Sequence, residues 1–454
     1  MSKINNIIII FTLFFSIYSV YYTSNYTVHD GYENLYILPL ATIIMGGYLL
    51  IKSSKKFLLS LIYIIYFIRY SLLSFLVVKT GWYEGRSYYT PSIENFNKSI
   101  ILMGMELIVV LISYIILLRK KDFDIYKVDF RFRHISPALN QVFVIFIIIS
   151  ILLSPLIIDH ITFLGIGEQK KLNELSITQT IIFFMLYLSK FLLIGQTINF
   201  FYIKYNQKPL NRYLLITIIL VLVINSIFIG LNRMDVVLAI SSALIILNNL
   251  YKKKMKVYNY LIFTFLLISL YIISLGRATF SYQITSNKLA LLTDYLQIYF
   301  AGIYNVALSL DISIYIKQNV YITFLYDVIR PFLGLNMLWR PETLLTSTEL
   351  FNQRIFENNQ VSQIIPLLGQ FYLPFELLSV FIYPILIMLI IRYFLQKVFD
   401  NNLTYSMILI VIVLRAIITI FQNLSIFINE LSSLIILLSS IVLFKNLLLK
   451  VSNK

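Results

Sequence analysis

The chain has no cysteine and only three histidines among its 454 residues. The absence of cysteine excludes disulfides, thiolate metal sites and a cysteine nucleophile. A histidine-based zinc site would need nearly all of His29, His134 and His160, which lie far apart in the sequence. P-loop, GxSxG, HExxH and GxGxxG sequences are absent too, so no motif indicates a nucleotide site, a serine hydrolase or a zinc protease. We therefore expect no metal and no cofactor.

Charged residues and loop-forming residues are also scarce. Only 13% of the residues are charged, whereas a soluble domain has about 25%. The 14 glycines and 10 prolines are too few for a loop-rich fold, and 59% of the residues are hydrophobic. These fall in long runs, and a run of about 18 or more residues with few charges can cross a bilayer. Helices are expected because they satisfy their backbone polar groups inside lipid.

The apolar runs predict an all-α polytopic integral membrane protein with about 12 transmembrane helices. The first run follows Lys3, as in a signal peptide, but no small-x-small cleavage site follows it, so we expect a retained span. The candidate spans are Ile7–Tyr22, Tyr36–Ile51, Phe57–Val78, Ser99–Leu118, Val142–Ile158, Thr178–Ile203, Tyr213–Gly230, Met234–Leu250, Tyr258–Leu275, Glu376–Ile391, Leu403–Phe421 and Leu431–Phe444.

Lysine and arginine are distributed unevenly between the connections. The two termini and every second connection between spans form one set of segments, which contains 22 basic and 4 acidic residues. The rest of the chain contains 15 basic and 17 acidic residues. Cytoplasmic loops are enriched in Lys and Arg, so this set predicts two cytoplasmic termini in a cytoplasmic (inner) membrane. The net charge of +16 is then a topology signal. We expect the lipid bilayer, and no nucleic acid, as a partner.

The connection between the ninth and tenth spans is unusually long. It separates spans 1–9 (residues 1–275) from spans 10–12 (residues 376–454) by a large loop of residues 276–375, within one membrane domain. The charge rule places this loop outside, in the periplasm or the extracellular space. It is rich in Tyr, Leu, Ile and Phe, and its stretch Leu289–Ile316 is apolar enough to touch lipid. We predict interfacial or re-entrant helices packed on the outer face.

Four ionisable side chains lie in the interior of the candidate spans, away from the span ends. They are Arg69, Glu106, Lys190 and Arg415. Such groups cost about 2.5–3.5 kcal/mol each on insertion scales, so each is a candidate functional residue. The predicted topology places Arg69, Glu106 and Arg415 past the middle of their spans on the outer side, and Lys190 near the midplane. A structural role is equally open for any single residue: Arg69 could pair with Glu106, and structural pairing is the favoured interpretation of Lys190.

Four further arginines are predicted at the outer surface. They are Arg233, Arg277, Arg330 and Arg340. With Arg69 and Arg415 they gather at one predicted depth. Guanidinium groups bind phosphate in bidentate geometry and stay charged at any working pH. The convergence favours a cationic pocket that suits a pyrophosphate-linked lipid.

Three parts of the chain carry a family resemblance. They are the turn Gly230–Leu238, the segment Asp294–Asn305, and the loop passages Arg330–Phe332, Trp339–Pro341, Phe351–Asn352 and Ile365–Tyr372. In these parts the chain resembles the Wzy-type repeat-unit polymerases of O-antigen and capsule synthesis. The span count, chain length and single large outer loop are similar as well, so the resemblance covers most of the chain. The arginine-x10-glycine pattern of some members is absent.

The resemblance implies a glycosyltransferase on the outer face of the inner membrane. A hydroxyl of one undecaprenyl-pyrophosphate-linked oligosaccharide attacks the anomeric carbon of the growing glycan, and undecaprenyl pyrophosphate leaves. The leaving group needs charge stabilisation, which arginines supply. We expect Arg233 and Arg277 in this role, with Arg69 and Arg415 in support. A chain-length regulator protein is a further candidate partner.

The large loop supplies the remaining candidate site residues. Arg330 and Arg340 are candidates for binding the phosphate or sugar of the donor. A general base for the acceptor hydroxyl could be Asp294, Asp327 or Glu349. Each of these carboxylates could instead lie on the loop surface without a chemical role.

Three other functions compete with the polymerase. A flippase for lipid-linked oligosaccharides could also have about twelve spans, but it predicts two comparable halves, short loops and charges near the midplane. An O-antigen ligase resembles the polymerases but uses a histidine in its large external loop, and no histidine follows His160 here. A purely structural or receptor protein leaves the buried arginines unexplained. We therefore favour the polymerase, with the flippase as the alternative.

Overall fold

Helices form wherever the sequence has its apolar runs, and each of the candidate spans overlaps an α-helix. The computed structural model describes residues 2–26, 29–53, 56–83, 90–120, 137–163, 176–229, 233–275, 287–315, 319–335, 339, 341, 343–356, 363–398 and 402–452. The helices of the first half are α1 (Ser2–Tyr26), α2 (Ile37–Tyr48), α3 (Phe57–Tyr66), α4 (Leu73–Thr80), α5 (Ile93–Ser113), α6 (Pro137–Leu153), α7 (Ile177–Gln207), α8 (Asn211–Asn225), α9 (Arg233–Tyr251) and α10 (Met255–Leu275). The later helices are α11 (Lys288–Tyr299), α12 (Ile303–Tyr315), α13 (Val320–Ile329), α14 (Ser347–Phe356), α15 (Leu367–Phe375), α16 (Ser379–Val398), α17 (Leu403–Thr419) and α18 (Leu424–Ser452).

Within the described residues, eight helical segments are long and apolar enough to cross a membrane. They are Asn6–Tyr26, Phe57–Thr80, Ile93–Leu118, Pro137–His160, Ile177–Gln207, Met234–Tyr251, Leu367–Val398 and Leu424–Leu447. This confirms a multi-pass helical membrane protein. Shorter apolar helices occupy Ile37–Ile51, Asn211–Asn225, Val320–Ile329 and Leu403–Thr419. The count of about 12 spans and the orientation of the termini stay predictions.

Several helix ends follow from local sequence chemistry. Ser176 caps α7 by accepting a hydrogen bond from the backbone N–H of Gln179, whose side chain in turn accepts from the backbone N–H of Ser176. Ser92 caps α5 through its side chain, which accepts a hydrogen bond from the backbone N–H of Asn95. Gly81 ends α4 with a φ of +66°, a conformation that glycine adopts without strain.

The all-α prediction is confirmed, and the described residues add one short two-stranded antiparallel pair. Strands β1 (Ile161–Phe163) and β2 (Ile227–Ile229) pair Ile161 with Ile229 and Phe163 with Ile227. Their β-branched and aromatic residues favour extended backbone. As a result α8 ends at Asn225, short of the predicted end of the seventh span.

The chain divides into two units. Unit 1 comprises Met1–Asp124, Phe280–Arg392 and Ala416–Asn429, and unit 2 comprises Ile125–Thr279, Tyr393–Arg415 and Glu430–Lys454. Within unit 1, α5 packs against α2 and α12, and α11 packs against α4. Within unit 2, α7 packs against α6 and α8, and α9 packs against α10. The predicted domain boundaries at residues 275 and 375 separate sequence segments, whereas these units are assembled from non-contiguous parts of the chain.

In its described residues the predicted large loop contributes five helices, α11 to α15, to unit 1. Every residue from 301 to 312 is buried, so α12 belongs to the core of this unit. Asp311 on α12 accepts a hydrogen bond from Asn95 at the start of α5, and it pairs with Arg354 of α14 at 3.3 Å. The apolar stretch Leu289–Ile316 is interrupted by a turn in which Ala301 has a φ of +46°. Neither α11 nor α12 is long enough to span, since 13 residues extend only about 20 Å.

Candidate functional site

Arg69 lies at the centre of a fully buried polar cluster in unit 1. Its Nη1 pairs with Glu106 Oε1 at 2.8 Å, and both side chains are inaccessible to solvent. Its Nε donates to the backbone carbonyl of Ala301 at 3.1 Å, in the turn between α11 and α12. The ion pair that the sequence left open is therefore present, and Arg69 also connects the third candidate span to the long loop.

Tyrosine hydroxyls complete the environment of Glu106. Tyr66 donates to Oε1 at 2.8 Å, and Tyr70 donates to Oε2 at 3.0 Å. Arg69 and Tyr70 lie in a π-helical turn, Phe67–Leu72, that joins α3 to α4. Such wide turns occur frequently at functional sites. The carboxylate is thus neutralised by one guanidinium and solvated by two hydroxyls, which is what a buried charge requires.

The same region has buried polar atoms without a hydrogen-bond partner among the described residues. They include Arg69 Nη2, both amide atoms of Gln297, Asn305 Oδ1 and the hydroxyl of Tyr383. Asn305 Nδ2 donates to the backbone carbonyl of Gln297, so these two side chains are neighbours. Tyr383 interacts electrostatically with Arg69 and Glu106. Because buried polar atoms are nearly always paired, this cluster holds unused hydrogen-bonding capacity.

Asp327 is the second polar centre of unit 1, and it connects four helices. The side chain is almost fully buried on α13. Its Oδ1 accepts from the backbone N–H of Ser347 at 3.0 Å, and its Oδ2 accepts from the Gln370 amide at 2.9 Å. Gln370 Oε1 accepts in turn from the N–H of Leu424, and the Ser425 hydroxyl donates to the backbone carbonyl of Asp327. The contacts fix α13, α14, α15 and the start of α18 to one another.

Arg330 and Glu349 form an ion pair beside Asp327. Arg330 Nη1 lies 2.9 Å from Glu349 Oε1, and the Arg330 side chain is 43% exposed. Burial acts to raise the pKa of Glu349, but hydrogen bonds from Thr346 and Arg330 outweigh it and hold the pKa below its ordinary value. Burial raises the pKa of Asp327 to about 6, in spite of the hydrogen bonds from Gln370 and Ser347. Two neighbouring carboxylates with pKa values pushed apart are a typical acid–base arrangement.

The raised pKa of Asp327 predicts a pH-dependent stability. The ordinary value is 3.8 and the folded value is about 6, so the folded state binds the proton more tightly. The stability from this proton is fully present below the ordinary value and is lost as the pH rises through about 6. We expect the melting temperature of the purified protein in detergent to fall between pH 4.5 and 7, and Asp327→Asn to have a flatter profile. An equally steep fall in that variant would contradict the assignment.

Unit 2 has a separate buried charge cluster. Arg415 on α17 pairs with Glu430 on α18, and both side chains are largely buried. Tyr187 on α7 donates to Asp235 on α9 at 3.4 Å. Asp235 interacts electrostatically with Glu430, Arg415 and Lys190. The charge of Arg415 is therefore balanced within unit 2 by carboxylates.

Lys190 has a structural environment, in line with the favoured interpretation of its sequence position. Its Nζ donates to the backbone carbonyl of Ile227 at 2.8 Å and lies 3.5 Å from that of Asn225. Asn225 is the last residue of α8, where helical backbone acceptors have no partner in the helix, and Ile227 is the first residue of β2. An ammonium group at a helix C-terminus is also favoured by the helix dipole.

The remaining predicted site residues are only partly described. Arg233 is the first residue of α9, while Arg277 and Arg340 lie outside the described residues. Asp294 is buried on α11, with Thr293 and Gln297 as buried neighbours on the same helix. The structure therefore brings Asp327, Arg330 and Glu349 together and places Arg69 and Arg415 in separate ion pairs. The pooled arginine pocket stays a prediction.

Apart from the Arg69–Glu106 pair, sequence reasoning missed the partners of these charged residues. Glu430 lies one residue before the predicted twelfth span, and Gln370 lies in an otherwise apolar helix. A carboxylate at the edge of an apolar run, opposite an arginine in the neighbouring span, was an available signal for Glu430. Tyr66 and Tyr70 gave no signal, since 34 tyrosines are spread over the chain.

The chain matches no family model among known protein families, no curated protein and no solved structure. Its functional interpretation therefore depends on its own residues and on the sequence passages described above. The polar centres of unit 1 are the described features that bear most directly on it.

Proposed function

We propose that this protein polymerises undecaprenyl-pyrophosphate-linked oligosaccharide repeat units into a surface polysaccharide at the outer face of the cytoplasmic membrane. The observation that carries the proposal is the hydrogen bond from Arg69, inside a candidate span, to the carbonyl of Ala301 in the long connection. A glycosyl transfer from a membrane lipid needs polar groups from an external segment positioned against charged groups at membrane depth. The contact supports such an arrangement in unit 1.

The chemistry needs a base for the acceptor hydroxyl and positive charge for the departing pyrophosphate. Asp327 is the best candidate base, because its pKa of about 6 lets it accept a proton near neutral pH. The acceptor hydroxyl would replace the Gln370 amide on Asp327 Oδ2. Arg233 and Arg277 keep the role predicted for them from the sequence alone, in which fixed positive charge stabilises the pyrophosphate as it leaves.

The flippase alternative predicts short loops and charges near the midplane. Here the segment between the ninth and tenth candidate spans forms five helices, and the residues 301–312 are buried in unit 1. A segment of this size, with carboxylates at Asp327 and Glu349, favours a role in chemistry over a role as a connector. The two functions predict different surface glycans, and the test separates them on that basis.

The test is deletion of the gene, followed by electrophoresis of the surface glycan. Complementation uses the wild type, Arg233→Ala, Arg277→Ala and Asp327→Asn, with Arg212→Ala, an exposed arginine on the predicted cytoplasmic side, as the matched control. We expect the deletion to leave a core-plus-one-unit band and no ladder. The three site variants should fail to restore the ladder at normal expression, whereas Arg212→Ala should restore it.

Each contrary result has a distinct meaning. Loss of even the single unit from the surface would indicate that export was lost, and the flippase would replace the polymerase. A normal ladder in all three site variants would keep the polymerase but reject these residues as its site. An unchanged glycan in the deletion strain would reject both functions.

A further inference from the structure

Helix α13 is amphipathic, but its apolar face is exposed and its polar face is buried. A helix outside the membrane spans usually has the opposite orientation. Its exposed face consists of Tyr321, Ile322 and Leu325, which are 64%, 45% and 50% exposed. Its buried face contains Thr323 and Asp327, together with Tyr326. The positions 321, 322 and 325 recur at helical spacing and form one continuous stripe. Large apolar side chains left in water forgo the stabilisation that burial would give them.

The polar face is held against unit 1 and cannot rotate outward. Asp327 accepts hydrogen bonds from Ser347 and Gln370, as described above. The Phe324 ring packs edge-on against Phe371 and Phe375 of α15, with centroid distances of 5.1 and 5.4 Å. The exposure of the apolar stripe is therefore fixed by the contacts of the opposite face.

The length of the helix and the polarity of its ends restrict how it can meet a bilayer. Its 10 residues extend about 15 Å, half of a hydrocarbon core about 30 Å thick. Asn319 before the helix and Arg330 after it are both exposed. A re-entrant helix would bury one of these polar ends in hydrocarbon, at a cost of several kcal/mol. A helix lying in the interface keeps both ends among headgroups.

Helix α13 packs through Phe324 on Phe375, at the end of α15 and within a candidate span. After α15 the chain exposes Leu377, Leu378 and Phe381, at the point where it enters α16. These residues belong to the candidate span Leu367–Val398, which is long and apolar enough to cross a membrane. The contact of α13 with this candidate span favours lipid chains over a second protein as the cover of the stripe.

We propose that α13 is an interfacial helix whose apolar stripe lies among the lipid chains of the bilayer while its polar face forms part of unit 1. This arrangement places Asp327 and the Arg330–Glu349 pair next to the headgroup layer. The proposal concerns the position of the helix and does not depend on the reaction that the protein catalyses. A failed glycan ladder experiment would leave it intact.

The natural absence of cysteine permits a direct test on the full-length chain. Tyr321→Cys, Ile322→Cys and Leu325→Cys are each spin-labelled and reconstituted in vesicles of phosphatidylcholine and phosphatidylglycerol. Power saturation then measures collisions of the label with oxygen, which concentrates in lipid, and with a water-soluble nickel chelate. We expect oxygen accessibility to exceed nickel accessibility at all three positions.

Two matched variants calibrate the measurement. Leu152→Cys lies at an exposed position of the candidate span Pro137–His160 and reports lipid, and Lys208→Cys lies at an exposed lysine after α7 and reports water. Labels on α13 that behave like the one at position 208 would overturn the proposal. Labels protected from both reagents would overturn it as well, because a protein would then cover the stripe.

A second measurement leaves α13 unaltered. The chain has two tryptophans, so Trp82→Phe leaves Trp339 as the sole tryptophan. The Trp339 ring lies 5.5 Å from that of Tyr326 on the polar face of α13. We expect stronger quenching of its fluorescence by lipids brominated near the headgroup than by lipids brominated near the chain end. Stronger quenching by the deep bromines, or none by either lipid, would overturn the interfacial position.

Discussion

Replacing Arg69 with methionine is expected to destabilise the protein by about 3–5 kcal/mol, because it leaves Glu106 charged and buried without its cation. Glu106 is inaccessible to solvent and its only described cationic partner is Arg69. Adding Glu106→Gln to Arg69→Met removes the uncompensated charge and keeps an acceptor for the Tyr66 hydroxyl. We expect this double variant to recover a large part of the lost stability. Thermal unfolding of the purified variants in detergent measures both effects.

Arg330→Met is the matched control for this experiment. It also removes an arginine from an ion pair, but the Arg330 side chain is 43% exposed, so its loss should cost no more than about 1 kcal/mol. A double variant as unstable as Arg69→Met alone would contradict the explanation by buried charge. The glycan ladder adds a second readout. If the Arg69 charge serves the substrate, the double variant regains stability but not the ladder, whereas a purely structural pair predicts recovery of both.

Gly369→Ala is expected to destabilise the contact between α12 and α15 by about 3 kcal/mol, at the upper end of the usual cost of overpacking. A Cβ at Gly369 would lie 1.9 Å from Ser309 Oγ and 2.3 Å from Ser309 Cβ. The second atom is tied directly to the backbone and cannot move aside. Ser309→Gly in the Gly369→Ala background should therefore restore the packing. Thermal unfolding of the single and double variants tests this.

Gly47→Ala provides the comparison for an ordinary helical glycine. A Cβ there meets no atom within 4 Å, so alanine should leave stability unchanged or raise it by up to about 1 kcal/mol. Equal destabilisation by Gly47→Ala and Gly369→Ala would show that the contact with Ser309 does not determine the effect. Failure of Ser309→Gly to rescue Gly369→Ala would lead to the same conclusion.

The buried charged residues show which features of the site could be predicted from the sequence. Arg69, Glu106, Lys190 and Arg415 were identified from their positions in apolar runs, and all four are buried in the structure. The pairing of Arg69 with Glu106 was an open alternative and is present. Their other contacts were not predictable, because the carbonyl of Ala301 is 232 residues away from Arg69 and only the turn between α11 and α12 brings it there.

The long connection between the ninth and tenth candidate spans shows what the sequence did not predict. Its composition predicted helices, and five were found, but the sequence suggested that they pack on an outer face. The burial of residues 301–312 in unit 1 was not visible. An apolar run of this length is equally compatible with lipid contact and with protein contact, since both environments exclude water. Only the neighbouring helices decide between them.

The sequence by itself determined that this is a helical membrane protein, where its long apolar helices lie and that the four ionisable residues in the interior of the candidate spans are buried. These properties follow from local physics: a run of apolar residues must leave water, and its backbone must then satisfy its own hydrogen bonds. The tertiary structure alone decided which partners neutralise the charges, that Asp327 joins four helices and that α13 turns its apolar face outward. Those features depend on contacts between distant segments, and hydrophobic periodicity does not specify which helix faces meet.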